Sequence, residues 1–142
     1  MELSQKCSLL IIGDPFVGKT SILKRFSEDQ FSSDYKNTIG VDFVTKKIII
    51  NKREIQVQLW DTAGQEHFRS IPQGLFKNCQ GLIIVYDVSS QKSFENLKYW
   101  IETIQTNSID SENIPCIILG NKIDKDDRVV DKEKAEEYAK SL

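Results

Sequence analysis

The sequence has few cysteines, few prolines and no long apolar run, and each shortage excludes something. Cys7, Cys79 and Cys116 are odd in number, widely spaced and set in apolar segments. They therefore suggest neither a disulfide framework nor a zinc-ligand spacing, and read as reduced core residues. With three prolines in 142 residues there is no proline-rich linker, and no repeat or low-complexity tract interrupts the chain. No apolar stretch approaches the roughly 20 residues of a spanning helix, and the N-terminus has no signal-peptide pattern, so the expected location is cytoplasmic. Neither sign of charge dominates: 19 basic side chains stand against 21 acidic ones, a net charge of −2. That leaves no electrostatic footprint for a nucleic acid. The length and the 39% apolar content fit one compact domain over residues 1–142.

What is present is an alternation of buried strands and helices. The run "CSLLII" (Cys7 to Ile12) ends at Gly13 and reads as a strand buried on both faces. After a loop, "KTSILKRF" places Ile22, Leu23 and Phe26 on one helical face. "VDFVTKKIII" and "EIQVQLW", joined by "NKR", read as a hairpin, and Ile55, Val57 and Leu59 in the second strand alternate with period two. "GLIIVYDV" and "PCIILGNK" are again buried strands, separated by a helix with Phe94, Leu97, Ile101 and Ile104 on one face. In the tail, Asp131 is placed to cap a helix whose stripe is Ala135, Tyr138, Ala139 and Leu142. The expected fold is α/β: a mostly parallel central sheet with one antiparallel strand and helices on both faces.

Between the first strand and its helix lies "GDPFVGKT", residues 13 to 20, which meets the phosphate-loop pattern G-x-x-x-x-G-K-T at Gly13, Gly18, Lys19 and Thr20. Backbone N–H groups that curl around phosphates need glycine where the chain approaches closely. The following helix N-terminus favours negative charge, and Lys19 adds a full cation. The Thr20 hydroxyl is suited to Mg²⁺. Alone, the loop indicates a nucleoside triphosphate and not which one.

Further segments narrow the choice. "NKID" (Asn121 to Asp124) ends a parallel strand, and the Asp124 carboxylate can accept from both N1–H and the exocyclic amine of guanine. As a lone tetrapeptide it reads equally well as an ordinary loop. "WDTAGQE" (Trp60 to Glu66) puts Asp61 at a strand end, within reach of a metal through water. Gly64 can offer its N–H to the terminal phosphate, and Gln65 can orient a water for attack. "YKNTIGVDF" carries Thr38, a second hydroxyl for the metal.

In this order and spacing, the four segments resemble the Ras superfamily of small GTPases and, through "IGVDF", "WDTAGQE", "FRSI" and "YDVS", the Rab family. The resemblance covers essentially the whole chain and implies the P-loop small GTPase fold, with Mg²⁺ as cofactor and GTP or GDP as ligand. It implies a nucleotide cradle of Gly13, Asp14, Pro15, Phe16, Val17, Gly18, Lys19, Thr20 and Ser21. Phe31 would lean on the base, Tyr35 close over the phosphates and the Lys122 stem lie along the base plane. Asn121 and Asp124 would complete guanine recognition. Thr20, Thr38 and Asp61 would serve the metal; Lys19 and Gln65 would serve slow GTP hydrolysis. The effector surface would comprise Ile39, Gly40, Val41, Asp42, Phe43 and Trp60, with Leu75 where the family usually has a tyrosine. The implied role is a switch in vesicle transport, with exchange factors, GTPase-activating proteins and effectors as partners. For Phe31, a core aromatic is the plain alternative, and His67, in place of the family's arginine, is given no role.

The departures generate expectations of their own. Pro15 has no N–H to donate, and Phe16 disfavours the positive φ a glycine adopts freely, so binding is expected to survive while positioning of the attacking water suffers. The resemblance also implies a sixth strand, a guanine loop of the "SAK" type, a long final helix and prenylatable cysteines, none of which lies before Leu142. The domain is therefore expected to be incomplete at its C-terminus, with an uncovered fifth-strand edge, marginal stability, weak nucleotide affinity and no membrane anchor of its own. The alternative function is an interaction module that binds effectors or exchange factors without nucleotide cycling. An ATP-using P-loop enzyme is disfavoured by Asp124.

Overall fold

A computed structural model describes residues 5–28, 42–62, 76–107 and 114–142. In chain order the elements are β1 (Gln5–Gly13), α1 (Lys19–Glu28), β2 (Asp42–Ile50), β3 (Arg53–Asp61) and β4 (Gly81–Asp87). There follow α2 (Gln91–Glu95), α3 (Leu97–Asn107), β5 (Cys116–Asn121) and α4 (Lys132–Lys140). The strands form one sheet in the order β2-β3-β1-β4-β5. β1 runs parallel to both β3 and β4, β4 runs parallel to β5, and β2 is antiparallel to β3. The mostly parallel sheet with one antiparallel strand is the architecture expected from the sequence.

The continuous apolar run of β1 reflects burial on both faces. Leu10 and Ile12 pair across to Leu82 and Ile84, and with Tyr86 they pack against Phe94, Leu97, Trp100 and Ile104 of α2 and α3. Ile11 points the other way and joins Leu59, Val85 and Leu23 of α1, with Ile22 and Phe26 at the margin. Period two along the strand thus feeds two cores, one under each helical layer. Because β1 sits between β3 and β4, the chain leaves it in opposite directions, and the crevice beyond the C-terminal ends of these strands is where open α/β sheets take ligands.

The structure departs from the sequence reading in several places. The hairpin turn is two residues, not three: Asn51 and Lys52 have φ of 51° and 64°, and Arg53 already pairs with Ile50. Two left-handed residues give a turn whose twist matches the strands. The single helix expected around Phe94 is divided at Asn96 into α2 and α3. In α4, Asp131 occupies the N-cap position but its side chain makes no capping bond. Only Ala135 and Tyr138 of the expected stripe pack on the core; Ala139 is exposed and Leu142, past the helix end, is 63% exposed. The cysteines are free, but Cys7 and Cys79 are only half-buried and Cys116 is exposed. Cys116 is not a core residue because β5 is an edge strand among the described residues, and Ile117 and Leu119 are exposed on one of its faces.

Lys52 carries the cost of a left-handed conformation that glycine adopts freely, at the second position of a turn where glycine is preferred. Lys52→Gly should raise unfolding stability by roughly 0.5–1 kcal/mol, read as a higher denaturation midpoint with an unchanged slope; a lower midpoint would contradict the turn assignment.

Candidate functional site

The loop from Gly13 to Gly18 joins β1 to α1 at the crevice. Gly13 lies so close to β4 that a Cβ there would come 2.3 Å from the Val85 carbonyl oxygen. Gly18 has φ of 100°, and a Cβ on it would come 2.3 Å from Asn121 Nδ2. The two pattern glycines are thus required by close approach and by backbone conformation together. Phe16 adopts φ of 68°, so the loop keeps a glycine-like shape at a residue that resists it, a conformation costing about 1–2 kcal/mol.

Lys19 opens α1 and is buried. Its Nζ donates to the carbonyls of Gly13 at 2.9 Å and Asp14 at 2.6 Å, which bends the ammonium back over the loop. Beside it, Thr20 Oγ1 donates to Asp61 Oδ2 at 2.7 Å, tying the first turn of α1 to the end of β3. Thr62 anchors that end by donating to the Ile11 carbonyl at 2.8 Å. A hydroxyl and a carboxylate at this spacing are hard oxygen donors, and Mg²⁺ is characteristically held by one or two carboxylates with phosphate and water completing the shell. The residues present fit that ion. Ser21 follows on the same helix and is half-buried.

The "NKID" segment meets the loop from the other side. Asn121 Nδ2 donates to the Val17 carbonyl at 2.8 Å, and Lys122 Nζ donates to the Phe16 carbonyl at 2.6 Å. Lys122, itself at φ of 67°, also pairs with Asp87 Oδ2 at 3.0 Å. Asp124 is exposed. Pro15 is half-buried, Val17 is buried and Phe16 is largely exposed. On the sheet surface, Phe43 pairs across from Trp60 with ring centroids 4.5 Å apart, and Phe43 is 44% exposed. Asp42 lies at the start of β2. Phe31, Tyr35, Thr38, Ile39, Gly40, Val41, Gly64, Gln65, His67 and Leu75 fall outside the described residues.

Residues that sequence reasoning passed over complete the site. Asp87, in the quoted "YDVS", ends β4, and its Oδ1 accepts from Ser89 N–H at 2.8 Å and Ser89 Oγ at 2.6 Å. An acid at the C-terminal end of a buried parallel strand was the available signal. Burial alone would raise its pKa, but the Ser89 donors and the Lys122 ammonium outweigh it and hold the carboxyl below its ordinary value. Asn96 and Trp100 both donate to Asp14, at 2.6 and 2.8 Å. A tryptophan on a buried helical stripe requires a partner for its N–H, a signal the stripe of Phe94 and Leu97 contained. A cavity of about 500 Å³ adjoins the loop, lined in part by Asp14, Phe16, Asn96, Trp100 and Lys122. Lys19, Thr20 and Asn121 do not line it.

The Ras family model matches residues 8–142. The chain is 46% identical to Ras-related protein Rab-8B of Homo sapiens and to Ras-related protein Rab-8A of Mus musculus, over 132 residues that cover 92% of this chain and 63% of each relative. It is 44% identical to Ras-related protein RABG3f of Arabidopsis thaliana over 138 residues, 94% of this chain and 67% of that relative. The chain thus spans a little under two thirds of the Rab-8 relatives.

Gly18→Ala should displace the Asn121 side chain and lower stability by about 1–3 kcal/mol, with little further loss when Asn121→Ala is added; additive losses would show that the two sites are independent. Because the pKa of Asp87 is lowered on folding, its ionised form contributes stability above the ordinary carboxylate range of about 4. That contribution is lost as pH falls through the lower folded value. Asp87→Asn should therefore unfold more readily than the parent chain at pH 7, with the gap closing below about pH 4; a gap independent of pH would contradict the assignment.

Proposed function

Since the chain belongs to the Ras family and, within it, to the Rab small GTPases, we propose that it binds GTP and GDP with Mg²⁺ and hydrolyses GTP slowly as a molecular switch in vesicle-mediated transport. The observation that carries this reading is the pair of bonds from Asn121 and Lys122 to the Val17 and Phe16 carbonyls. They fix the guanine-reading segment at one distance from the phosphate loop, so base and phosphates can be gripped at once.

In this reading the helix N-terminus and loop N–H groups receive the phosphates, and Lys19 turns from the loop carbonyls to the β- and γ-oxygens. Thr20, Thr38 and Asp61 would serve the metal, which when bound would offset negative charge on the phosphates. Asp124 accepts from the guanine edge and rejects adenine. Thr38, Gly64 and Gln65 order around the terminal phosphate, and hydrolysis releases them. Gln65 orients the attacking water. Without a positioned arginine to offset the transition-state charge the intrinsic rate is slow, on the order of 10⁻⁴ s⁻¹, so an activating protein is needed for speed. The contact of exposed Phe43 with half-buried Trp60 supports an effector surface read in the GTP state. Exchange factors, activating proteins and effectors are its partners.

A second reading, an interaction module that docks effectors without cycling, is favoured by Pro15, which removes one N–H from the phosphate loop. Titration with a fluorescent GDP analogue, with and without Mg²⁺, separates the two. Switching requires Mg²⁺-dependent binding reversed by GTP and not by ATP, and Asp124→Ala should weaken it by at least tenfold. No binding would overturn the switch and favour the module; reversal by ATP would overturn the guanine assignment.

A further inference from the structure

Asp14 is the one acidic side chain in the phosphate loop, where an anion is the least welcome neighbour of a phosphate. The structure directs the two ends of this residue differently. Its carbonyl accepts from Lys19 Nζ at 2.6 Å, at the heart of the cradle. Its carboxylate goes to the start of α3, where Oδ2 accepts from Asn96 Nδ2, just before the helix, at 2.6 Å and Oδ1 from Trp100 Nε1 in its first turn at 2.8 Å. Asn96 precedes α3 and its carbonyl accepts the Trp100 backbone N–H at 3.2 Å, so the two donors are held together. Trp100 is buried in the core, so its N–H is held in place by packing. Asp14, Asn96 and Trp100 share a cavity whose lining includes neither Lys19 nor Thr20.

We propose that Asn96 and Trp100 are positioning residues that hold the Asp14 carboxylate away from the bound phosphates and from the Lys19 ammonium. The proposal rests on the nucleotide reading above. Released from α3, the carboxylate can turn about its side-chain bonds toward the ammonium whose contact its own carbonyl already makes. There it would neutralise the cation the phosphates require and repel the phosphates themselves. The two bonds to α3 thus act on nucleotide affinity through the location of a charge.

The test measures GDP affinity of the 142-residue chain with the fluorescent analogue in Mg²⁺. Asn96→Ala should weaken binding by roughly tenfold, the scale of a lost hydrogen bond to a charged group, and the loss should shrink as salt screens the repulsion. Adding Asp14→Ala to Asn96→Ala should recover most of the affinity, because the displaced charge is gone. Trp100→Phe, which keeps a buried ring, should give the same pair of results without relying on Asn96. Unchanged affinity in both single variants overturns the proposal. So does a loss that Asp14→Ala fails to recover, since α3 would then merely anchor the loop. A parent chain that binds no GDP overturns the nucleotide reading and this proposal together, whereas the other failures leave nucleotide binding standing.

Discussion

A loop that turns its N–H groups toward an anion turns its carbonyls the other way, and those carbonyls must find donors. The rest of the site depends on how this is met. The Gly13 and Asp14 carbonyls take the Lys19 ammonium, Phe16 takes the Lys122 ammonium, Val17 takes the Asn121 amide, and Gly18 takes the Ile22 N–H of α1. Lys19, Asn121 and Lys122 are thereby gathered around one loop. The lysine proposed to meet phosphate and the segment proposed to meet guanine are both located by the loop's own backbone requirements. The outward carbonyls define the site as much as the inward N–H groups do.

The same requirement explains where strain is tolerated. Phe16 and Lys122 are both left-handed, and they are joined by a hydrogen bond of 2.6 Å. Each such conformation is costly for a residue with a side chain and persists only where its surroundings over-determine it. Here Lys122 is fixed further by Asp87, which Ser89 holds in turn, while Lys125 donates to the Ser89 hydroxyl at 3.0 Å. A chain of charged and hydroxyl groups therefore runs from the end of β4 to the loop after β5, and the strained pair sits at its phosphate-loop end. The Asp14 contacts to α3 brace the other side of the same loop.

Much of the fold was legible because its signals are local. Apolar runs for two-sided strands, alternation at Val57 and Leu59, and the helical stripe of Ile22, Leu23 and Phe26 follow from spacings of a few residues. The places where spacing misled are those where a neighbour decides. Ala139 and Leu142 satisfy the stripe of α4, yet only Ala135 and Tyr138 reach Phe94 and its cluster. Cys116 lies in an apolar run but on an edge strand, so its environment is set by what stands beside β5 rather than by its sequence neighbours. The three-residue hairpin loop suggested by "NKR" became two residues because β-strand twist favours a left-handed pair.

By itself the sequence determined the glycine loop with its lysine, the strand and helix alternation, the acid at the end of β3 and the "NKID" tetrapeptide, since each is written in contiguous residues with their own chemistry. Tertiary structure alone decided that the tetrapeptide holds the phosphate loop across separations of 104 and 106 residues, and that Asp14 is held by Asn96 and Trp100 across 82 and 86. No local spacing encodes such pairs. They exist because a parallel sheet gathers the C-terminal ends of β1, β3, β4 and β5 at one edge, bringing distant donors and acceptors within hydrogen-bond reach.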